Sequence, residues 1–111
     1  MKVCYVSGPF SADTEEERAQ NVRDSQAVAL KYTKLGYCVI DPLSNFSHMY
    51  GQVSYEEILS NCLWLVWMLD PTEYNGESDA MVMRKGWEDS GGANKEIAIA
   101  KEMGLEIIYE E

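Results

Sequence analysis

Four short, mainly apolar runs are spaced along the chain so that each gap can hold a helix. Lys2–Ser7 is stopped by Gly8-Pro9, Tyr37–Ile40 by Asp41-Pro42, Ala80–Met83 leads into Arg84-Lys85-Gly86, and Leu105–Tyr109 precedes the acidic Glu110-Glu111. Short apolar runs bounded by turn residues read as buried strands. Asp13 or Thr14 caps a first helix, with Glu16 or Glu17 three residues on to close a capping box and acidic Glu15–Glu17 placed to suit the helix dipole. Ala19, Val22, Ala29, Leu30 and Leu35 form its apolar set, and Gly36 stops it. Ser54-x-x-Glu57 opens a second helix, with Ile58, Leu59, Cys62 and Val66 on one face. Leu63–Leu69 is apolar all round, so strand is a rival reading for that run. Leu43–Val53 reads as irregular and Pro71–Ser78 as a loop. Gly91-Gly92 opens a third helix that runs through Met103 to Gly104.

The order β-α-β-α-β-α-β implies strand, crossover, strand, and hence parallel pairing. The expectation is one α/β domain over residues 1–111, a parallel sheet of about four or five strands with helices on both faces. In such sheets ligands bind beyond the carboxyl ends of the strands, where the strand order reverses. That selects three loops: Gly8–Asp13, Asp41–Gly51 and Arg84–Lys95.

Composition narrows what such a site can take. The 111 residues carry a formal net charge of −10. At long range this repels phosphate backbones and anionic lipid heads, so a nucleic-acid polymer or a membrane surface is an unfavourable partner. A small anion is not excluded, because backbone N–H groups can hold one phosphate against the global field. Cys4, Cys38 and Cys62 are scattered in apolar stretches and read as core thiols of a reducing compartment. With one histidine, His48, and no ligand spacing, no metal is expected. The apolar run at the N-terminus is too short for a signal peptide, and Cys62–Leu69 is too short to span a bilayer. A cytoplasmic location is the expectation.

The segment Gly86-Trp-Glu-Asp-Ser-Gly-Gly-Ala-Asn-Lys-Glu96 concentrates the unusual residues. Gly91 and Gly92 let the backbone approach a ligand, Ser90 adds a hydroxyl, and a helix N-terminus offers unpaired N–H groups. Glu96 lies in the first turn or so of that helix. A carboxylate beside a sugar site can act as a nucleophile or stabilise an oxocarbenium ion. Otherwise it supports the helix start.

Tyr5-Val-Ser-Gly-Pro9 after the first strand, together with Ser90-Gly-Gly-Ala-Asn-Lys-Glu96, Ala100 and Gly104, resembles the superfamily of nucleoside 2-deoxyribosyltransferases and nucleoside 5′-monophosphate N-glycosidases. The likeness is strongest to its short branch, often phage-borne, with the pattern Gly-Trp-Glu-x-Ser-x-Gly-Ala-x-x-Glu. It implies a flavodoxin-like (half-Rossmann) sheet and cleavage or transfer at the N-glycosidic bond of a (deoxy)nucleoside 5′-monophosphate or nucleoside. It also implies a cytoplasmic protein, phage- or prophage-encoded if it belongs to that branch, working without a cofactor and as a homodimer or higher homo-oligomer. Residue by residue, Glu96 falls on the nucleophilic glutamate, Ser90 on the phosphate-binding serine of the monophosphate hydrolases, and Tyr5 and Gly8 on residues bordering the sugar pocket. Three departures stand out. Asn61 is the nearest match to an aspartate held on the helix before the third strand. The Gly8–Asp13 loop lacks an arginine found in several monophosphate hydrolases, and Pro71–Ser78 has no counterpart.

Several neighbours have two readings. Phe10 and Trp87 stack on a base or pack at the rim. Asp41 binds a ribose hydroxyl or begins the Asp-Pro turn. His48 contacts the base or is incidental to its loop. Pro9, Gly91 and Gly92 shape the ligand-facing backbone. Arg84 and Lys85 are the cations nearest the glycine loop. Trp64 and Trp67 share a helical face and read as core or subunit interface. Beside the enzyme stand two other expectations: a nucleotide-binding module without turnover, such as a sensor or sequestering protein, and an interaction protein that retains only the fold.

Overall fold

A computed structural model describes residues 2–72 and 78–111. Strands β1 (Val3–Ser7), β2 (Cys38–Ile40), β3 (Ala80–Met83) and β4 (Glu106–Tyr109) alternate with helices α1 (Glu15–Lys34), α2 (Pro42–Phe46), α3 (Tyr55–Trp67) and α4 (Gly91–Met103). Every strand pairing is parallel, and the sheet order is β2-β1-β3-β4. This is the parallel α/β sheet that the β-α alternation predicts, in the flavodoxin-like form that the resemblance implies. The chain steps from β1 to β2 on one side and returns to β3 on the other. The order therefore reverses between β1 and β3, and the loops leaving their carboxyl ends flank a crevice.

Side chains alternate across β1 and β3 and seed a core on each face. On one face Cys4, Ala80 and Val82 pack with Tyr32 of α1, joined by Val28. On the other, Tyr5, Met81 and Met83 pack with Val66 and Leu69 and with Ala93, Ile97 and Ala100 of α4. Burying each of the large side chains contributes about 1.5–3 kcal/mol.

The helix ends follow the capping signals. Thr14 accepts from the Glu17 N–H at 3.1 Å. Ser54 and Glu57 close a reciprocal capping box. Ser90 caps α4, accepting from the Ala93 N–H at 3.2 Å.

Six expectations need correction. Leu43–Val53 is not irregular throughout: α2 fills its start, and a 3-10 turn covers Ser47–Met49. Asp41-Pro42, read as a turn, is also an N-cap followed by proline at the first helical position. Leu30 and Leu35 are exposed, Leu35 by 64 %. Tyr32 is the inward residue, and Leu30, two positions away, points to the opposite side of the helix. The apolar run after Cys62 is helical through Trp67, which removes the strand alternative. Trp64 is 67 % exposed and Trp67 is exposed too, so neither is core, because α3 turns the side bearing Val66 to the sheet. Cys38 is exposed rather than buried, since β2 is a three-residue edge strand. Most of the Pro71–Ser78 loop lies outside the described residues. No helix among the described residues is long and apolar enough to cross a membrane.

Candidate functional site

At the crevice between β1 and β3, a cleft of about 650 Å³, counting its open mouth, lies over the sheet's carboxyl edge. Its inner wall is Glu96, projecting from the second turn of α4 and only 6 % exposed.

Both carboxylate oxygens of Glu96 are held from β1. The Tyr5 hydroxyl donates to Oε2, and the Ser7 hydroxyl donates to Oε1 at 2.7 Å. Tyr5 and Ser7 are two apart on a strand, so their side chains leave the same face and reach one acid together. Burial raises the Glu96 pKa, and the Tyr5 and Ser7 hydrogen bonds, with Arg84's charge, oppose that rise. Tyr5 is pushed well above its ordinary value, first by burial and then by the charge of Glu96. It therefore stays protonated and serves as a fixed donor. The result is a buried acid oriented by two neutral hydroxyls and turned toward a cleft. A nucleophile that must meet one carbon atom needs such preorganisation.

The rest of the wall divides by chemistry. Ser90 and Gly92 line it from the start of α4. The Ser90 oxygen accepts the capping bond, and its own O–H donates to no protein group among the described residues. Gly92 is packed closely, since a Cβ there would meet the Tyr55 hydroxyl at 3.1 Å. Gly86 adopts φ 89°, the left-handed conformation that lets the loop after β3 turn back. Asn94 then fastens that loop, its Nδ2 reaching the carbonyls of Ser90 at 2.8 Å and Glu88 at 3.0 Å. Phe10, Phe46, Tyr50 and Tyr55 give the cleft an aromatic, mainly apolar lining. Phe10 and Tyr50 meet edge to face at 5.6 Å between ring centres, and the Arg18 guanidinium lies over the Tyr50 ring.

The structure brings Glu96, Tyr5, Gly8, Phe10, Ser90 and Gly92 together at the cleft. It does not bring the remaining sequence candidates to the wall. Asn61 is exposed on α3, and its neighbour Cys62 faces the cleft instead. Asp41 is occupied as the cap of α2 and accepts from the Ser25 hydroxyl at 2.6 Å. His48 is exposed in the 3-10 turn. Trp87 packs against the core and lies 5.9 Å from the Tyr109 ring. Pro9 contributes its carbonyl to Arg84, and Gly91 is exposed at the first position of α4. Lys85 is exposed.

Sequence reasoning missed Ser7, Tyr50, Tyr55 and Cys62. Ser7 was reachable from the two-residue period starting at Tyr5. Cys62 and Tyr55 follow from the α3 face once its partner is known to be α4. Tyr50 had no local signal. Among the described residues no three His, Cys, Asp or Glu side chains are grouped as metal ligands.

No curated protein matches the sequence. Residues 1–109 match a protein family, and the chain therefore belongs to the family described as Domain of unknown function (DUF4406).

Proposed function

We propose that this chain acts at the N-glycosidic bond of a (deoxy)nucleoside 5′-monophosphate or nucleoside, with Glu96 as the nucleophile. The observation that carries the reading is the buried Glu96 carboxylate, held through both oxygens by Tyr5 and Ser7 at the wall of the cleft. The resemblance of Tyr5–Pro9 and Ser90–Glu96 to the deoxyribosyltransferases and monophosphate N-glycosidases supports the same assignment.

In this reading a Glu96 oxygen forms a bond to C1′ as the C1′–N bond breaks. The base leaves with the bonding electron pair and takes a proton. Water then attacks the glycosyl ester, releasing sugar or sugar phosphate and restoring the carboxylate; a second base attacking instead gives transfer. The Ser90 hydroxyl and the free N–H groups at the start of α4 are the donors for a 5′-phosphate. Phe10 and Tyr50 supply the apolar side for the base.

A second reading, nucleotide binding without turnover, rests on a specific absence. Among the described cleft-lining residues Glu96 is the one carboxylate, and no histidine accompanies it. Neither a second carboxylic acid nor a histidine of the described cleft lining is therefore placed to protonate a leaving base, which leaves only the weaker acids Tyr50, Tyr55 and Cys62. Incubating wild type and Glu96→Ala with a panel of nucleosides and 5′-monophosphates, and measuring free base by chromatography, separates the readings. Base released by wild type alone supports the enzyme. Equal release by both proteins removes Glu96 from the chemistry, and binding without release supports the sensor.

A further inference from the structure

Phe10, Ser47 and Tyr50 line the cleft and also a second groove, which runs against α1. The two hollows share these residues, so the Phe10–Tyr50 pair stands between them. Arg18 lines the second groove and not the cleft. It therefore supports the pair from behind, on the side away from Glu96. The backbone near Tyr50 does not reach Phe10. Tyr50 and Val53 donate their N–H groups within their own turn, to the carbonyls of Ser47 at 3.1 Å and Met49 at 3.3 Å. Phe10 lies in a different loop, the one leaving β1. Two loops that touch through one edge-to-face ring contact have little of their own to fix their spacing.

That spacing is set from α1. Arg18 and Asn21 are three apart on the helix and so share a face. Asn21 donates to the Phe10 carbonyl at 3.0 Å, which fixes the backbone of one ring. Arg18 Nη1 donates to the Ala12 carbonyl at 2.9 Å. The same guanidinium lies over the Tyr50 ring, 4.6 Å from its centre, which holds the other. One side chain thus joins the loop after β1 to the ring that Phe10 meets. Arginine suits the task, because its planar and permanently charged head can donate from its edge and stack through its face. No carboxylate among the described residues forms an ion pair with Arg18. Glu15 lines the same groove, and the chain carries 19 acidic side chains, yet the guanidinium is engaged by a carbonyl and a ring.

We propose that Arg18 is a positioning residue, which clamps Tyr50 against the Phe10 loop and so sets the aromatic lining that holds a planar base. The role in holding a base rests on the glycosidic reading; the clamp itself does not.

The first test needs no ligand: nuclear Overhauser effects between the Phe10 and Tyr50 rings, in protein with labelled phenylalanine and tyrosine. Arg18→Met should weaken them. Arg18→Lys should restore part of the loss, because a lysine keeps a cation near the ring without the planar face. Undiminished ring-to-ring effects in folded Arg18→Met overturn the proposal. Should Arg18→Met not fold, Arg18→Gln, which keeps a donor for Ala12 and removes the cation, is read in the same way. The second test is calorimetric titration with whichever common deoxynucleoside 5′-monophosphate wild type binds most tightly. Arg18→Met should weaken that binding about 2–5-fold, the worth of one exposed cation–ring contact. In a Tyr50→Leu background it should weaken binding no further. Equal losses in the two backgrounds overturn the proposal, since a merely structural arginine would cost the same with or without the ring. If wild type binds none of these nucleotides, the glycosidic reading fails and the ring-to-ring effects alone judge the clamp. Base release by wild type with undiminished effects in Arg18→Met refutes the clamp and keeps the reading.

Discussion

Removing the Tyr5 hydroxyl should cost far more at neutral pH than in acid. Tyr5 is fully buried and Glu96 nearly so, so water does not readily replace the lost donor. A hydrogen bond to a charged group is worth about 1.5–3 kcal/mol, against about 1 for a neutral pair. Tyr5→Phe should therefore destabilise the protein by about 2 kcal/mol where Glu96 is ionised. It should cost about half that where Glu96 is protonated. Unfolding entropy of about 2.1 cal/mol/K per residue over 111 residues makes 1 kcal/mol equivalent to about 4 °C in Tm. The expected loss is about 9 °C at pH 8 and about 4 °C near pH 4. Calorimetry of wild type, Tyr5→Phe, Glu96→Gln and the double variant at both pH values measures it. The cycle isolates the coupling, which should be about 1–2 kcal/mol at pH 8. An equal Tm loss at the two pH values, or a coupling near zero at pH 8, would refute the argument that the hydroxyl serves the ionised acid.

Other consequences follow from the same geometry. Because burial raises the folded pKa of Glu96 above its unfolded value, the folded state binds the proton more tightly. Stability is then greatest below the ordinary carboxylate range and falls as pH rises from there through the folded pKa. Glu96→Gln should flatten that slope in denaturant titrations from pH 4 to pH 8 while abolishing base release. Gly8→Ala should cost about 1–3 kcal/mol by overpacking against Arg84, read as a lower urea midpoint. Asn94→Ala should cost about 1–2 kcal/mol by freeing the carbonyls of Glu88 and Ser90, and faster amide exchange should be confined to residues 86–91. Ser90→Ala should lose about 1 kcal/mol of capping energy and weaken 5′-monophosphate binding in calorimetric titration more than nucleoside binding.

Local chemistry made the elements legible in the sequence. Ala80–Met83, the Thr14 and Ser54 caps and the Gly104 stop are each written in a few adjacent residues, because strands, caps and turns are short-range events. The β-α alternation implied parallel pairing and pointed to the loops after β1, β2 and β3. Glu96, Tyr5, Gly8 and Ser90 lay within reach of that reasoning because two motifs carry them. What the sequence could not supply was which face each residue turns to which neighbour. Asn61 and Cys62 are adjacent in the chain, yet only Cys62 looks into the cleft, and the angle of α3 against α4 decides that. Asp41 and His48 sit in a loop after a strand, as ligand-binding residues do, but one is consumed as a cap and the other is exposed. The pairing of Ser7 with Glu96 joins residues 89 positions apart, and the burial of Arg84 beneath Gly8 depends on β1 and β3 being neighbours. Such contacts are fixed by strand order and packing, long-range properties, and tertiary structure alone settles them.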